Sequence, residues 1–414
     1  MTLASWPFAA LLAVTLAAWW LSPRAARPWV MLAASAVFYA WAFPLHLIVL
    51  AGLVVLVWRV GASLQTAARP RRLLGAGITL VVTTLAVFKY TGFLVGTADM
   101  LFARAGLPRL PVPAIAAPLG ISFVAFCAIH YLVETYRGTT PPGSLLETAV
   151  YLAFFPTVTA GPIKRWPEFA RDLREGPARP DLDDLAYGGW RIVAGLAKKL
   201  VVADTLAILA VPLLAPAGKN PLVLLVGMYA YTMRIYFDFA GYSDIAIGVA
   251  RLFGFRVMEN FRWPYLRRNI SEFWANWHAS LTRFITEYVF IPLGGSRAGR
   301  ARTALNTLAA MAVSGLWHGA GWHFVAWGLY HGAGLVVARW WREALDALAA
   351  RWAAYARLRE RAGWRGAGWA AGTLLTFNFV AFGWMLFLLP LHDALFVWKQ
   401  VARFALLAAR RWIG

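Results

Sequence analysis

The sequence predicts an all-α fold, a polytopic integral membrane protein, on three observations. The chain of 414 residues is 60% hydrophobic, with a mean hydropathy of +0.59. Only 14% of its residues are charged, where a soluble domain of this size carries roughly 25%. Apolar runs recur along the whole length, separated by short basic stretches. The net charge of +21, from 40 Lys and Arg against 19 Asp and Glu, would suggest nucleic acid in a soluble chain. Here the basic residues lie mostly between apolar runs and no nucleic-acid motif accompanies them, so nucleic acid is not an expected partner. Cytoplasmic loops facing anionic membrane lipids account for the charge. The single cysteine, Cys127, sits inside an apolar run. It permits no intrachain disulfide and no cysteine-based metal site, and reads as a small core residue.

Taken in order, residues 5–22 and 29–43 read as two spans around the basic turn Ser22–Pro28. The first positive charges, Arg24 and Arg27, follow the first span, which predicts a retained span with its N-terminus outside rather than a cleaved signal. Residues 45–60 form a third span, which runs into the basic, hence cytoplasmic, linker Gln65–Arg72. Residues 73–96 return outward, with Lys89 and Tyr90 snorkelling near that end. After the Gly- and Pro-broken stretch 97–117, an apolar run from Pro118 to Val133 ends in cytoplasm at Glu134–Gly138. Residues 148–162 contain Pro156 and Gly161 and fall short of the roughly 20 residues a crossing helix needs. Arg137 precedes them and Lys164, Arg165, Arg171 and Arg174 follow, so both flanks are cytoplasmic and the segment reads as re-entrant. Broken backbone at membrane depth is tolerated only inside protein or along a cavity.

Residues 165–191 form the most polar stretch, a cytoplasmic amphipathic segment with Asp181, Asp183 and Asp184 ahead of a helix. Residues 192–215 and 221–240 read as spans. Asp238 and Asp244 then stand at the end of an apolar run. Pairing with an arginine such as Arg234 or Arg251 is the favoured reading, and the lining of a polar chamber the other. A basic patch over 251–270 precedes Asn269-Ile-Ser-Glu272, which has the form of a capping box and predicts a helix running to Pro292 and Gly294-Gly295. Residues 303–317 and 320–338 are apolar, 339–368 are amphipathic in the manner of a membrane-surface helix, 369–390 give a late span and 394–413 an apolar-basic helix. The sum is about ten to twelve membrane-inserted helices in a single domain covering residues 1–414, with no dividing linker and no short repeat.

Chemistry concentrates between Phe273 and Gly332, which hold four of the seven histidines. On a continuous helix from Asn269, Trp274, His278 and Leu281 share a face, with Trp277 and Ser280 beside it. The second constellation is Gly315-Leu-Trp317-His318-Gly319-Ala-Gly321. Glycines around His318 permit close helix approach, as do Gly328 and Gly332, and are expected to leave room for a substrate beside the imidazole. Asn306 is about three turns before His318, too far along a straight helix to orient it. His318, His323 and His331 lack the i,i+4 spacing of a helical zinc pair and have no acid among them, so no metal is expected. No Gly-x-Ser-x-Gly elbow, phosphate loop or dinucleotide fingerprint occurs. Histidine as a general base remains: it takes a hydroxyl proton so that the oxygen attacks an activated acyl carbon, and burial among Trp rings favours the neutral form this needs. A histidine-lined transporter path is the alternative from another class, although internal repetition, its usual companion, is not seen.

At these residues the chain resembles the membrane-bound O-acyltransferase (MBOAT) superfamily, in the bacterial branch of alginate and peptidoglycan O-acetylation proteins and the teichoic-acid D-alanyl transfer protein. The resemblance rests on Phe38-Tyr-Ala-Trp41, Pro118-Leu-Gly-Ile-Ser-Phe123, Tyr136-Arg-Gly138, Phe154-Phe-Pro156 with Ala160-Gly-Pro162, and Asp238-Phe-Ala-Gly-Tyr-Ser-Asp244. It continues through Glu259-Asn-Phe261, Phe273–Leu281, Ile291-Pro-Leu-Gly-Gly295, Gly315–Ala320 and Trp327–Gly332, in order, over about residues 30–335. It implies a helical funnel with a thin, water-accessible centre, His318 as catalytic residue and His278 as a second polar residue of the active site. From their places in the sequence, Trp274, Trp277, Ser280, Trp317, Asn306, Asp238 and Asp244 are the candidate cavity lining. The resemblance further implies no tightly bound cofactor, acetyl-CoA or a carrier-protein thioester as acyl donor, and a polysaccharide acceptor outside the cytoplasm. A separate extracytoplasmic or membrane-anchored transferase would be the partner, at a bacterial cytoplasmic (inner) membrane. Ile291–Gly295 resembles the acetylating members more than the D-alanyl one. The chain departs from the pattern after Phe382-Gly-Trp384, where Met385-Leu-Phe-Leu replaces the usual Phe-Arg, and it ends sooner than alginate-type members.

Overall fold

Apolar sequence in a membrane must satisfy its backbone internally, and a chain without alternating strand patterns does so as helices. The computed structural model describes the backbone of residues 1–41 and 43–413, and their side chains except those of 405 and 408–413. The chain is 77% helical, with no strand among the described residues. The helices are α1 Trp6–Leu21, α2 Arg27–Ala40, α3 His46–Leu64, α4 Pro70–Arg104, α5 Ile121–Arg137, α6 Leu145–Ala153, α7 Trp166–Glu175, α8 Leu182–Leu196 and α9 Asp204–Ala210. They continue with α10 Pro221–Leu252, α11 Ile270–Asn276, α12 Ala279–Ile285, α13 Arg300–His318, α14 Trp322–Arg351, α15 Ala353–Glu360, α16 Ala362–Leu388 and α17 Leu391–Ile413. By length and composition, α3, α4, α10 and α16 are each able to cross a membrane. The chain is a multi-pass membrane protein.

Two compact units each draw on two stretches of chain: Met1–Lys198 with Phe239–Glu259, and Lys199–Asp238 with Asn260–Gly414. In the first, the segment expected to be re-entrant is a helix of nine residues, α6, followed by irregular chain. Ser144 and Glu147 close a capping box at its start: Ser144 Oγ accepts from the Glu147 amide at 3.2 Å, and Glu147 Oε2 accepts from the Ser144 amide at 2.7 Å. Beyond Phe154 the broken chain is held inside protein. The Trp166 amide donates to His130 Nε2 at 2.9 Å and the Tyr151 hydroxyl to the Lys164 carbonyl at 2.9 Å. Gly120, at φ +64°, lies so close to the Val158 carbonyl that a Cβ would stand 2.1 Å from its oxygen. Asp181 caps α8 by accepting from the Asp183 amide at 2.8 Å.

In the second unit, α13 and α14 interlock through glycines. A Cβ on Gly315 would lie 2.1 Å from the Phe324 carbonyl oxygen, and one on Gly328 2.2 Å from that of Met311. The backbones therefore touch, as small residues four apart allow. Gly334 of α14 receives the Phe379 ring of α16 in the same way. Around this pair an aromatic core of Phe273, Trp274, Trp277, Trp327 and Trp384 is buried to 5% exposure or less.

Residues 192–214 stay helical as expected, the end of α8 running without a break through a π-helical stretch Ala197–Ala203 and α9 into a 3₁₀ turn Val211–Leu214. Two other expectations are corrected. The surface helix expected over 339–368 is divided: α14 runs on to Arg351, the chain breaks at Trp352, and α16 starts at Ala362. Arg-, Trp- and Ala-rich sequence extends a helix beyond its apolar part as readily as it starts a new one. The continuous helix from Asn269 is broken as well, at the candidate site.

Candidate active site

Asn269 caps α11 as expected, accepting from the Glu272 amide at 2.9 Å, while its own side-chain amide donates to Glu272 Oε1 at 2.8 Å. The helix then stops at Asn276. Trp277 is extended, and His278 takes a left-handed conformation at φ 43° before α12 begins at Ala279. A non-glycine residue with positive φ is uncommon and persists only where its surroundings over-determine it. Those surroundings include Asn260, whose carbonyl accepts from the Ala279 amide at 2.9 Å and whose Oδ1 accepts from the Ser280 hydroxyl at 2.7 Å. The face expected to unite Trp274, His278 and Leu281 on one helix therefore does not exist; the break re-aims His278.

The break turns the His278 ring toward the end of α13. Its centroid lies 5.6 Å from Trp317 and 6.3 Å from His318. His278 is 1% exposed, while His318, the last residue of α13, is only half-buried. Trp317, Trp327 and Phe387 surround the His318 ring at 4.9, 5.1 and 5.1 Å. Trp327 in turn contacts Trp274 at 5.5 Å, and Trp277 packs on Trp384 at 4.7 Å. Trp274, Trp277, Trp317, Ser280 and both histidines are thus brought together.

The remaining candidates are placed elsewhere. Asn306 donates to the Gly295 carbonyl at 3.0 Å and pins the Gly294-Gly295 turn. Asp238 pairs with Lys199 at 2.6 Å. Asp244, in the first unit, pairs with Arg191 and Lys198. The ion-pair reading of both acids holds but its partners change: Arg251 pairs with Asp184 instead. The room expected beside Gly319 is filled by the Phe324 ring, 1.9 Å from where a Cβ would stand. These glycines serve packing.

Reasoning from sequence missed Asn260, quoted only within a motif, and the aromatic wall of Trp327, Trp384 and Phe387. It also gave His331 no special place. That ring is fully buried, 5.1 Å from both Trp274 and Trp327, and among the described residues neither of its nitrogens has a hydrogen-bond partner. The i,i+4 spacing of Trp327 and His331 was the available signal.

A cavity of about 320 Å³ opens beside this cluster. Its inner wall includes Trp274, Met311 and Ser314, the last one turn before His318, and its rim carries Arg300, Arg339 and Arg342. Arg300 and Arg339 share Glu343 at 3.0 and 3.1 Å. Among the described residues no group of three or more His, Cys, Asp or Glu is placed to hold a metal ion.

Comparison with known proteins gives the family. The pattern of MBOAT, the membrane-bound O-acyltransferase family, matches residues 131–358, more than half of the chain. The chain belongs to the membrane-bound O-acyltransferase family. It is 37% identical over 326 residues to the probable alginate O-acetylase AlgI of Azotobacter vinelandii, covering 78% of this chain and 65% of that protein. It is 30% identical over 401 residues to the peptidoglycan O-acetyltransferase of Helicobacter pylori, covering 88% of this chain and 71% of the relative. It is also 32% identical over 299 residues to the teichoic acid D-alanyltransferase of Streptococcus thermophilus, covering 68% and 70%. The chain thus spans just under two thirds of the length of the alginate-type relative. The MBOAT match takes in all of α11 to α14, and with them both candidate histidines.

Proposed function

We propose that this MBOAT protein is an O-acyltransferase that moves an acyl group, acetyl in the first instance, from a cytoplasmic thioester to or toward a polysaccharide outside the cytoplasm. The observation that carries the reading is the meeting of His278 and His318 at 6.3 Å, from two different elements, with His278 buried and His318 half-buried. Neutral His318 takes the proton of the acceptor hydroxyl as its oxygen adds to the thioester carbonyl. The tetrahedral adduct then expels the thiolate, which receives the proton back from the imidazolium. The product is an oxygen ester and a free thiol. His278, buried against Trp317, acts on the same centre by orienting the hydroxyl or the adduct.

The donor reading is supported by the cavity. A volume of about 320 Å³ with an apolar interior and three arginines at its rim suits a phosphopantetheine thioester, its phosphate at Arg300, Arg339 and Arg342 and its acyl end toward Ser314. Coenzyme A and an acyl-carrier protein share that chemistry. Acetyl is favoured by the two O-acetylating relatives; D-alanyl transfer is the second reading, on the teichoic acid relative. A bacterial cytoplasmic membrane and a separate extracytoplasmic transferase as partner complete the proposal. The test is mass analysis of cell-surface polysaccharide from cells with and without the gene. Loss of ester-linked acetyl supports the reading, loss of ester-linked D-alanine replaces it with the second, and unchanged ester content refutes both.

A further inference from the structure

The left-handed His278 leaves a specific problem at the start of α12. The first amides of a helix lack partners within it, and a side chain at the N-cap ordinarily takes one of them. His278 stands at the N-cap, and its imidazole does not cap the helix. Asn260, eighteen residues earlier, does so from another strand of chain. Its carbonyl takes the Ala279 amide at 2.9 Å. Its side-chain Oδ1 takes both the Ser280 amide, at 3.3 Å, and the Ser280 hydroxyl, at 2.7 Å. The Arg262 amide donates to the Asn276 carbonyl at 3.1 Å. Residues 260–262 therefore brace both sides of the break. Asn260 is 0% exposed and Ser280 3% exposed, so no water competes for these bonds.

This brace does two things for the imidazole. It holds the backbone of His278 in a conformation that other residues rarely adopt. It also releases the side chain from capping, so that the ring faces Trp317 and His318.

We propose that Asn260 is a positioning residue for acyl transfer, acting through Ser280 and the backbone of Ala279 to aim His278 at the reacting centre. The proposal rests on the reading of His278 as part of the transfer site. An amide suits the position, because it accepts from two donors without placing a second charge in a buried setting beside an imidazole.

A double-mutant cycle tests it, on full-length protein in membranes, with acyl transfer followed from acetyl-CoA and abundance checked by immunoblot. Asn260→Ala is expected to lower kcat by roughly 10- to 100-fold, the scale on which small misplacements of a catalytic group act, with the donor KM within about 2-fold. Ser280→Ala, which removes the shorter bond alone, is expected to give a smaller loss of the same kind. In a His278→Ala background either change is expected to cost less than about 2-fold more, because nothing remains to be aimed. A loss that multiplies equally in both backgrounds, or an unchanged kcat in Asn260→Ala, overturns the inference while leaving the role of His278 intact. Full transfer by His278→Ala overturns that role, and this inference with it. Should Asn260→Ala fail to accumulate, the cycle of Ser280→Ala with His278→Ala decides by the same criterion.

Discussion

The rings of His278 and His318 lie 6.3 Å apart, centroid to centroid, with Trp317 in contact with both, at 5.6 and 4.9 Å. His278 arrives from a left-handed break between two short helices, and His318 from the last position of α13. Neither residue is placed by its own helix alone.

The break at His278 makes a stability prediction that is independent of activity. At φ 43° glycine is free of the steric cost that a Cβ brings in the left-handed region. His278→Gly and His278→Ala both lose the imidazole, yet the glycine variant is expected to be the more stable by about 1 kcal/mol. Thermal unfolding of the two variants in one detergent measures the difference. Equal midpoints would mean that residue 278 is not held left-handed.

The α13–α14 pair predicts damage of another kind. Ala at Gly328 would place a methyl 2.2 Å from the Met311 carbonyl oxygen, which backbone cannot yield cheaply. Gly328→Ala is expected to cost on the order of 3 kcal/mol and to reduce folded protein in membranes. Gly75→Ala, with nothing within 4 Å of the added atom, is expected to be neutral. Immunoblots of the two variants provide the comparison.

Much of this was legible in the sequence, for reasons that differ residue by residue. Apolar runs gave α1 to α5, because membrane burial leaves helices as the only open solution. The shortness of 148–162 and its Pro156 and Gly161 marked the segment that forms α6 and the irregular chain after it. The break at His278 was not legible. Trp274, His278 and Leu281 have helical spacing, and the groups that bond to both sides of the break belong to Asn260 and Arg262, non-local partners. The glycines around His318 were read correctly as close-approach residues but not as to what approaches. Space for a substrate and space for the Phe324 ring demand the same glycine. Asp244 likewise announced an ion pair, but its partners Arg191 and Lys198 lie more than forty residues earlier, beyond any local pattern.

The arginine rim of the cavity predicts donor affinity. Arg339→Ala and Arg342→Ala are each expected to raise the donor KM roughly 10-fold with kcat within about 2-fold, since charge-assisted bonds to a phosphate would be made equally in ground and transition states. Initial rates against acetyl-CoA concentration read both parameters. A fall in kcat at constant KM would remove the phosphate from this rim.

A pH dependence follows from Glu147, at the start of α6. Partial burial pushes its carboxyl upward, but bonds from Arg174, at 2.6 and 3.1 Å, and from the Ser144 amide outweigh that and hold it below its ordinary value of 4.5. A depressed folded-state value means that the carboxylate stabilises the fold fully above about pH 4.5, the unfolded value, and loses this as pH falls through the folded one. Glu147→Gln is therefore expected to lower the melting temperature at pH 7 and to flatten its fall in acid. Melting curves from pH 7 down to 3 check both. Parallel curves for the two proteins would show that Glu147 carries no such linkage.

A single variant decides whether His318 performs the transfer. Acyl transfer from a labelled thioester donor by His318→Ala, in membranes holding the same amount of protein as wild type, is the most direct measurement. A fall of at least about 100-fold, the contribution expected of a positioned general base, is predicted. Transfer at the wild-type rate would show that His318 is not the base.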